Sequence, residues 1–236
     1  MCGDEKLVLG VDEAGRGPII GPMYVCGVVV DEKTIDKLRL IGVTDSKRLN
    51  RDRREKLFSV ITNLAKHVLA VEVPPQLIDA VNLNVLERDT IAVIVARALN
   101  VWREKLTAVY VDAVGISSKL VSTIRKTGFR GTIVIETKAD SKYVVVGAAS
   151  IVAKVLRDRT IEELRRLYGV EGSGYPTDQR TLNWIKKAYI VSPYNPPPFI
   201  RRTWGVLRQI APSWYVEKKV GKRHDNQRSL LDYLSS

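Results

Sequence analysis

The stretch Gly10-Val11-Asp12-Glu13-Ala14-Gly15-Arg16-Gly17-Pro18 decides how this chain is read. Before it, Lys6 to Val11 is a short apolar strand that ends at Asp12. After it, the glycines and prolines of Gly15 to Gly21 mark a turn. Tyr24 to Val30 is β-branched and forms the second strand, with a hairpin as the natural connection. An acid pair thus stands where a buried strand runs out, and the chain then folds back.

The pattern repeats further on. Ala108 to Val111 is an apolar strand that delivers Asp112, and Thr132 to Ile135 is another, followed one short loop later by Asp140. Strands buried on both faces present functional residues at their ends, where the core opens to solvent. Acids gathered there repel one another unless a cation sits between them. Hard divalent ions such as Mg²⁺ prefer carboxylate oxygens. Two such ions, roughly 3.5–4 Å apart, can activate a water and stabilise the leaving oxygen of a phosphodiester. Adjacent Asp12 and Glu13 point to opposite faces of an ideal strand, so both serve one site only if the strand ends or twists there. Taken singly, Asp12 also reads as a turn former, Asp112 as a strand terminator and Asp140 as the N-cap of a long helix.

Between the strands lie helical patterns: Asp52 to Lys66, Val85 to Leu106 and Ser141 to Tyr168, the last opening on the small residues Gly147 to Ser150. Val68 to Val73 is a further strand, stopped by Pro74 and Pro75. Past the glycine-rich loop Gly169 to Thr177, helical stretches at Thr181 to Ala188 and Thr203 to Ile210 flank Pro196-Pro197-Pro198. An antiparallel start followed by alternating strands and helices predicts an α/β protein, a mixed sheet covered by helices.

Lys and Arg number 38 against 26 Asp and Glu, for a net charge of +12. Such a charge draws polyanions and points to nucleic acid before a membrane surface. The two cysteines, Cys2 and Cys26, have no metal-ligand spacing and imply no disulfide framework. The charged N-terminus and the lack of a long apolar run suit a cytoplasmic protein.

The opening stretch resembles the N-terminal signature of ribonuclease HII. So do Thr44-Asp45-Ser46-Lys47, Tyr110-Val111-Asp112, Lys138-Ala139-Asp140-Ser141-Lys142-Tyr143, Ala148 to Lys154, Gly172 to Asp178 and Arg201-Arg202-Thr203-Trp204. The blocks stand in family order up to about residue 205. The resemblance implies a ribonuclease H-like sheet with a small helical C-terminal region. Residues 1–180 would be the catalytic domain, 181–217 the helical region and 218–236 a basic tail. It implies that Asp12, Glu13, Asp112 and Asp140 are catalytic and bind two Mg²⁺ or Mn²⁺ ions. The expected reaction is cleavage of the RNA strand of RNA/DNA hybrids, and on the 5′ side of single ribonucleotides in duplex DNA, leaving 3′-hydroxyl and 5′-phosphate ends. Gly15, Arg16 and Gly17 resemble the family loop that reads the 2′-hydroxyl. Tyr175 resembles the tyrosine that bonds that hydroxyl and stacks on the next sugar. Lys47 and Lys142 are expected at phosphates.

Three other readings compete. Ribonuclease HIII carries an extra N-terminal domain, for which there is no room before Lys6. A binding protein without catalysis would have lost an acid, yet all four are present. A Holliday-junction nuclease gives no reason for the Gly-Arg-Gly and Tyr175 blocks. In the tail, Gln227, Leu230, Tyr233 and Leu234 resemble the peptide box that binds the DNA sliding clamp. The three apolar residues fall at i, i+3 and i+4, so one helical turn presents them as a single plug. Leu stands where a second aromatic is usual, which implies weaker binding.

Overall fold

The computed structural model describes residues 6–43, 49–113 and 118–218. Strand β1 (Leu7–Ala14) lies at the centre of a five-stranded mixed sheet of order β3-β2-β1-β4-β5. It pairs antiparallel with β2 (Met23–Asp31), which pairs antiparallel with β3 (His67–Val73). On its other side it runs parallel to β4 (Leu106–Asp112), and β4 to β5 (Thr132–Glu136).

Both faces of β1 are covered, which is why its sequence is apolar almost throughout. Leu7, Leu9 and Val11 enter one core with α4 (Leu83–Trp102); Val8 and Ala14 face a second core with α7 (Val144–Tyr168). Between them Gly10 meets the start of α7. A Cβ at Gly10 would lie 2.3 Å from the Val145 carbonyl oxygen, so only glycine lets this helix reach the sheet.

Helices α1 (Glu32–Leu40) and α2 (Arg51–Leu64) pack outside α7. The side chain of Asn50 caps α2 by accepting from the Arg53 N–H at 2.9 Å, and Leu57 and Ile61 form its buried stripe. Helix α3 (Pro75–Ala80) precedes α4, and α5 (Ser118–Lys126) lies beside α4.

The sequence pattern misplaced several boundaries. Strand β1 does not end at Asp12 but continues to Ala14. Leu106 begins β4 rather than ending the long helix, because Arg103 to Lys105 form a turn. The helix expected from Ser141 is two elements, α6 (Ala139–Lys142) and α7, separated by extended Tyr143. Asp140 therefore does not cap the long helix; it sits in the first turn of α6.

Helix α8 (Gln179–Val191) begins at Asp178, whose carboxylate accepts from the N–H groups of Ser173 and Arg180. Only α9 (Leu207–Ile210) forms in the stretch expected to be helical from Thr203. Trp184, Phe199, Leu207 and the fully buried Trp214 make a third core with Ile19, Ile20 and Ile161. The C-terminal segments are thus packed onto the loop that follows β1.

Candidate active site

Asp12, on β1, faces the α7 side of the sheet and is buried. Asp112 ends the neighbouring strand, two residues beyond Tyr110, which packs into the same α7-side core. Asp140 comes from α6, reached through Lys138, whose φ of 61° is left-handed. That turn wraps the chain around Asp112, whose carboxylate accepts the Lys138 N–H at 3.0 Å and the Asp140 N–H at 3.4 Å. Carboxylate oxygens of Asp12, Asp112 and Asp140 lie within 4.8 Å of one another.

Burial pushes the Asp12 carboxyl well above its ordinary value; the charge of Glu13 adds to this and the Ser150 hydroxyl opposes it. Burial also raises Asp112; the Asp140 and Lys138 N–H groups oppose this and the charge of Asp140 adds to it. Glu13 is raised by burial and by Asp112, with the Arg16 guanidinium pulling the other way. The cluster is therefore uncomfortable as three free anions, and a divalent cation among the oxygens would reverse that. An all-carboxylate donor set suits Mg²⁺ or Mn²⁺.

Glu13 adjoins the three mutually close aspartates and feels the charge of Asp112, as Asp12 feels that of Glu13. Strand β1 keeps its register with β2 through Asp12↔Cys26, Glu13↔Val25 and Ala14↔Tyr24. Glu13 also lines an adjoining cleft of about 370 Å³ with Gly15, Arg16, Gly17 and Tyr175.

The loop of that cleft is held from behind. Gly15 has φ +92°, and a Cβ there would lie 2.8 Å from the Pro22 carbonyl oxygen. Arg201, fully buried, donates to the carbonyls of Gly15 at 2.6 Å, Arg16 at 3.1 Å and Gly21 at 2.8 Å. Burial lowers its pKa to about 9. Trp204 Nε1–H donates to the Gly17 carbonyl at 3.0 Å. The Arg16 side chain turns to α4, where it bonds Asn84 and pairs with the buried Glu87.

Tyr175 reaches the same cleft from the glycine-rich loop. The Ile19 N–H donates to the Gly174 carbonyl at 2.8 Å, tying the two loops together. The Arg157 guanidinium lies 4.9 Å from the Tyr175 ring centre and donates to the Ser173 carbonyl at 2.6 Å. Lys142 is exposed and pairs with Glu136, whose carboxyl it holds low. Lys47, Gln227, Leu230, Tyr233 and Leu234 lie outside the described residues.

The structure therefore brings Asp12, Asp112 and Asp140 together, and sets Glu13, Gly15 to Gly17 and Tyr175 in a cleft beside them. Reasoning from sequence missed Arg157, Arg201, Trp204, Glu87 and Ser150 as parts of this neighbourhood. Arg201 and Trp204 were visible as a motif block, and Ser150 as one of the small residues of α7. Nothing local marked Glu87 or Arg157.

Solved structures share this architecture. The ribonuclease H2 of Pyrococcus horikoshii is 44% identical, with a TM-score of 0.79 over 88% of this chain and 98% of that one. The Archaeoglobus fulgidus ribonuclease HII, solved as a complex with PCNA, is 35% identical with a TM-score of 0.73 over 93% and 100% of the two chains. A ribonuclease HIII solved with Mn²⁺ shares the fold at 21% identity and a TM-score of 0.63, over 80% of this chain and 63% of its own. The sheet is thus that of the ribonuclease H-fold nucleases. The ribonuclease HII family model matches residues 9–206. The curated ribonuclease HII of Hyperthermus butylicus is 53% identical over 97% of this chain and 95% of its own length. This chain belongs to the ribonuclease HII family and is an endonuclease of the ribonuclease H type, acting on RNA/DNA hybrids. Among the described residues, no helix is long and apolar enough to cross a membrane.

Proposed function

We propose that this enzyme cuts on the 5′ side of ribonucleotides, single embedded ones included, with two Mg²⁺ or Mn²⁺ ions in the acid site. The observation that carries the reading is the adjacency of two unlike features. Three mutually repelling aspartates lie beside a cleft walled by Gly15, Arg16, Gly17 and Tyr175. Asp12, Asp112 and Asp140 would hold the ions, and Glu13, at the rim, would complete the set as substrate enters. Bound there, the ions would supply Lewis-acid activation of a water and stabilisation of the departing 3′ oxygen. The chain's own part is positioning. The Gly15–Gly17 loop offers backbone groups to a 2′-hydroxyl, the feature that separates RNA from DNA. The Tyr175 ring, backed by Arg157, presents a flat surface to the next sugar, where a deoxyribose fits best. Lys47 and Lys142 contribute at phosphates. Residues 1–180 carry the chemistry and residues 181–217 brace it.

The test is incubation with Mg²⁺ or Mn²⁺ and a duplex holding one ribonucleotide, beside a continuous RNA/DNA hybrid, an all-DNA duplex and a four-way junction. One cut, 5′ to the ribonucleotide, with 3′-hydroxyl and 5′-phosphate ends supports the reading. Cutting of the junction, or of continuous hybrids alone, contradicts it.

A second reading concerns partners. The segment Gln227, Leu230, Tyr233 and Leu234 has the spacing of a clamp-binding box, and the Archaeoglobus fulgidus relative was solved with PCNA. We infer that this tail tethers the enzyme to the sliding clamp, raising its local concentration on replicated duplex where ribonucleotides and RNA primers are removed. Calorimetry of a Lys222–Ser236 peptide and of the full chain against the host clamp tests it; silence from both contradicts it.

A further inference from the structure

Arg201 is a buried cation whose hydrogen bonds go to three carbonyls and to no carboxylate. Burying a charge on those terms is costly, and a side chain of similar volume without charge would fill the same space. What only arginine supplies is a rigid planar fork of donors that spans neighbouring carbonyls. With Trp204 Nε1–H, that fork turns the carbonyls of three successive residues, Gly15, Arg16 and Gly17, towards the C-terminal segment. Asp79 anchors this segment in turn, accepting the Arg202 N–H at 2.8 Å and the Thr203 N–H at 3.0 Å.

In a trans peptide the N–H points opposite to the C=O of the same unit. Turning the Gly15 and Arg16 carbonyls to Arg201 therefore turns the N–H groups of Arg16 and Gly17 away from it. Among the described residues neither N–H has a hydrogen-bond partner. The third unit ends in Pro18, which has no N–H, so the pair of donors is sharply bounded. The Arg16 side chain is occupied by Asn84 and Glu87 and leaves these donors clear. Both residues line the cleft shared with Glu13 and Tyr175.

We propose that Arg201, with Trp204, is a positioning residue: it fixes the loop carbonyls so that the Arg16 and Gly17 N–H groups stand ready for the ribose 2′-hydroxyl. The inference rests on the proposed reading of the cleft. It also explains why a C-terminal segment with no carboxylate of the acid cluster belongs to the same machinery.

The variants are Arg201→Met, which keeps bulk but loses every donor; Arg201→Lys, which keeps the charge; and Trp204→Phe, which loses one donor. Single-turnover cleavage of the one-ribonucleotide duplex is expected to slow about 30-fold or more in Arg201→Met, about tenfold in Arg201→Lys and about threefold in Trp204→Phe. KM should stay within about threefold, and Mn²⁺ affinity should be unchanged, since orientation and not docking is lost. A merely structural role would not touch a second readout, the amide resonances of Arg16 and Gly17. In the parent enzyme these should shift differently with ribonucleotide-containing and all-DNA duplex; in the Arg201 variants that difference should collapse. Normal rates in all three variants, an unchanged amide difference, or a parallel loss of Mn²⁺ affinity would overturn the proposal. If Arg201→Met does not fold, Arg201→Lys and Trp204→Phe make the same comparison. A parent enzyme that ignores the ribonucleotide sinks the functional reading, whereas a parent that cuts beside unaffected variants sinks this inference alone.

Discussion

The acid cluster and the loop that follows it are neighbours in the chain, Asp12 standing only three residues before Gly15, yet they are held in opposite ways. Asp12, Asp112 and Asp140 come from three elements and are forced together by strand ends and by the left-handed turn at Lys138. Burial and mutual repulsion raise the Asp12 and Asp112 carboxyls. The Gly15–Gly17 loop is instead satisfied from behind, its carbonyls taken by Arg201 and Trp204. One half of the site needs a cation to be comfortable; the other is already set. An ion-dependent hydrolase gains from both: the frustrated half draws in the ions, and the rigid half spends little on ordering itself when the duplex arrives.

If the division is right, damage to the first half abolishes chemistry and damage to the second degrades it. The largest effect is expected for Asp112→Asn. A two-ion site supplies several kcal/mol to the transition state, so cleavage should fall by roughly a thousandfold or more. Hybrid affinity, measured by fluorescence anisotropy, should survive within a few-fold; near-normal turnover at saturating Mg²⁺ would break the assignment. Next comes Tyr175→Ala, expected to lower the single-turnover rate at a lone ribonucleotide by about 10–100-fold while binding weakens far less. Equal losses in rate and binding would make Tyr175 a docking residue and blur the comparison.

The smallest effect has the opposite sign and is the sharpest probe of frustration. A carboxyl whose folded pKa is raised costs the folded state stability as pH climbs from the unfolded value, near 3.9, through the raised one. The loss grows with pH and is full once pH stands above the raised value. In EDTA at pH 7, Asp12→Asn should therefore melt higher than the parent, by roughly 2–8 °C, and the gain should vanish at acidic pH. Adding Mn²⁺ should stabilise the parent more than the variant. A variant that melts lower than the parent in EDTA would mean the cluster is not strained.

Much of this site was legible in the chain because its parts sit at strand ends. Apolar runs stopping at Asp12, Asp112 and just before Asp140 point to one end of a sheet, and the fold brings the three together there, Asp12 inside β1, Asp112 at the end of β4 and Asp140 in α6. The details that failed are those fixed by tertiary packing. Tyr143 interrupts a helical pattern because the α6 turn must fold back over Asp112. Strand β1 runs on past Asp12 because β2 pairs with it up to Ala14, which periodicity does not reveal. Helices α1 and α5, nine residues each, bury only Thr34 and Leu38 in one case and Leu120 and Ile124 in the other, too little for a recognisable stripe. The role of Arg201 was out of reach for a simpler reason: its partners, Gly15, Arg16 and Gly21, lie at least 180 residues away in the chain.

Asp12, Asp112 and Asp140, brought together by the fold, are the proposed ion centre, with Glu13 at its rim. Calorimetric titration of Mn²⁺ into the parent and into Asp12→Asn, Asp112→Asn, Asp140→Asn and Glu13→Gln measures this without any substrate. Saturable binding is expected in the parent, with a loss of about tenfold or more in affinity for each aspartate variant and a smaller loss for Glu13→Gln. Undiminished Mn²⁺ affinity in the three aspartate variants would contradict it.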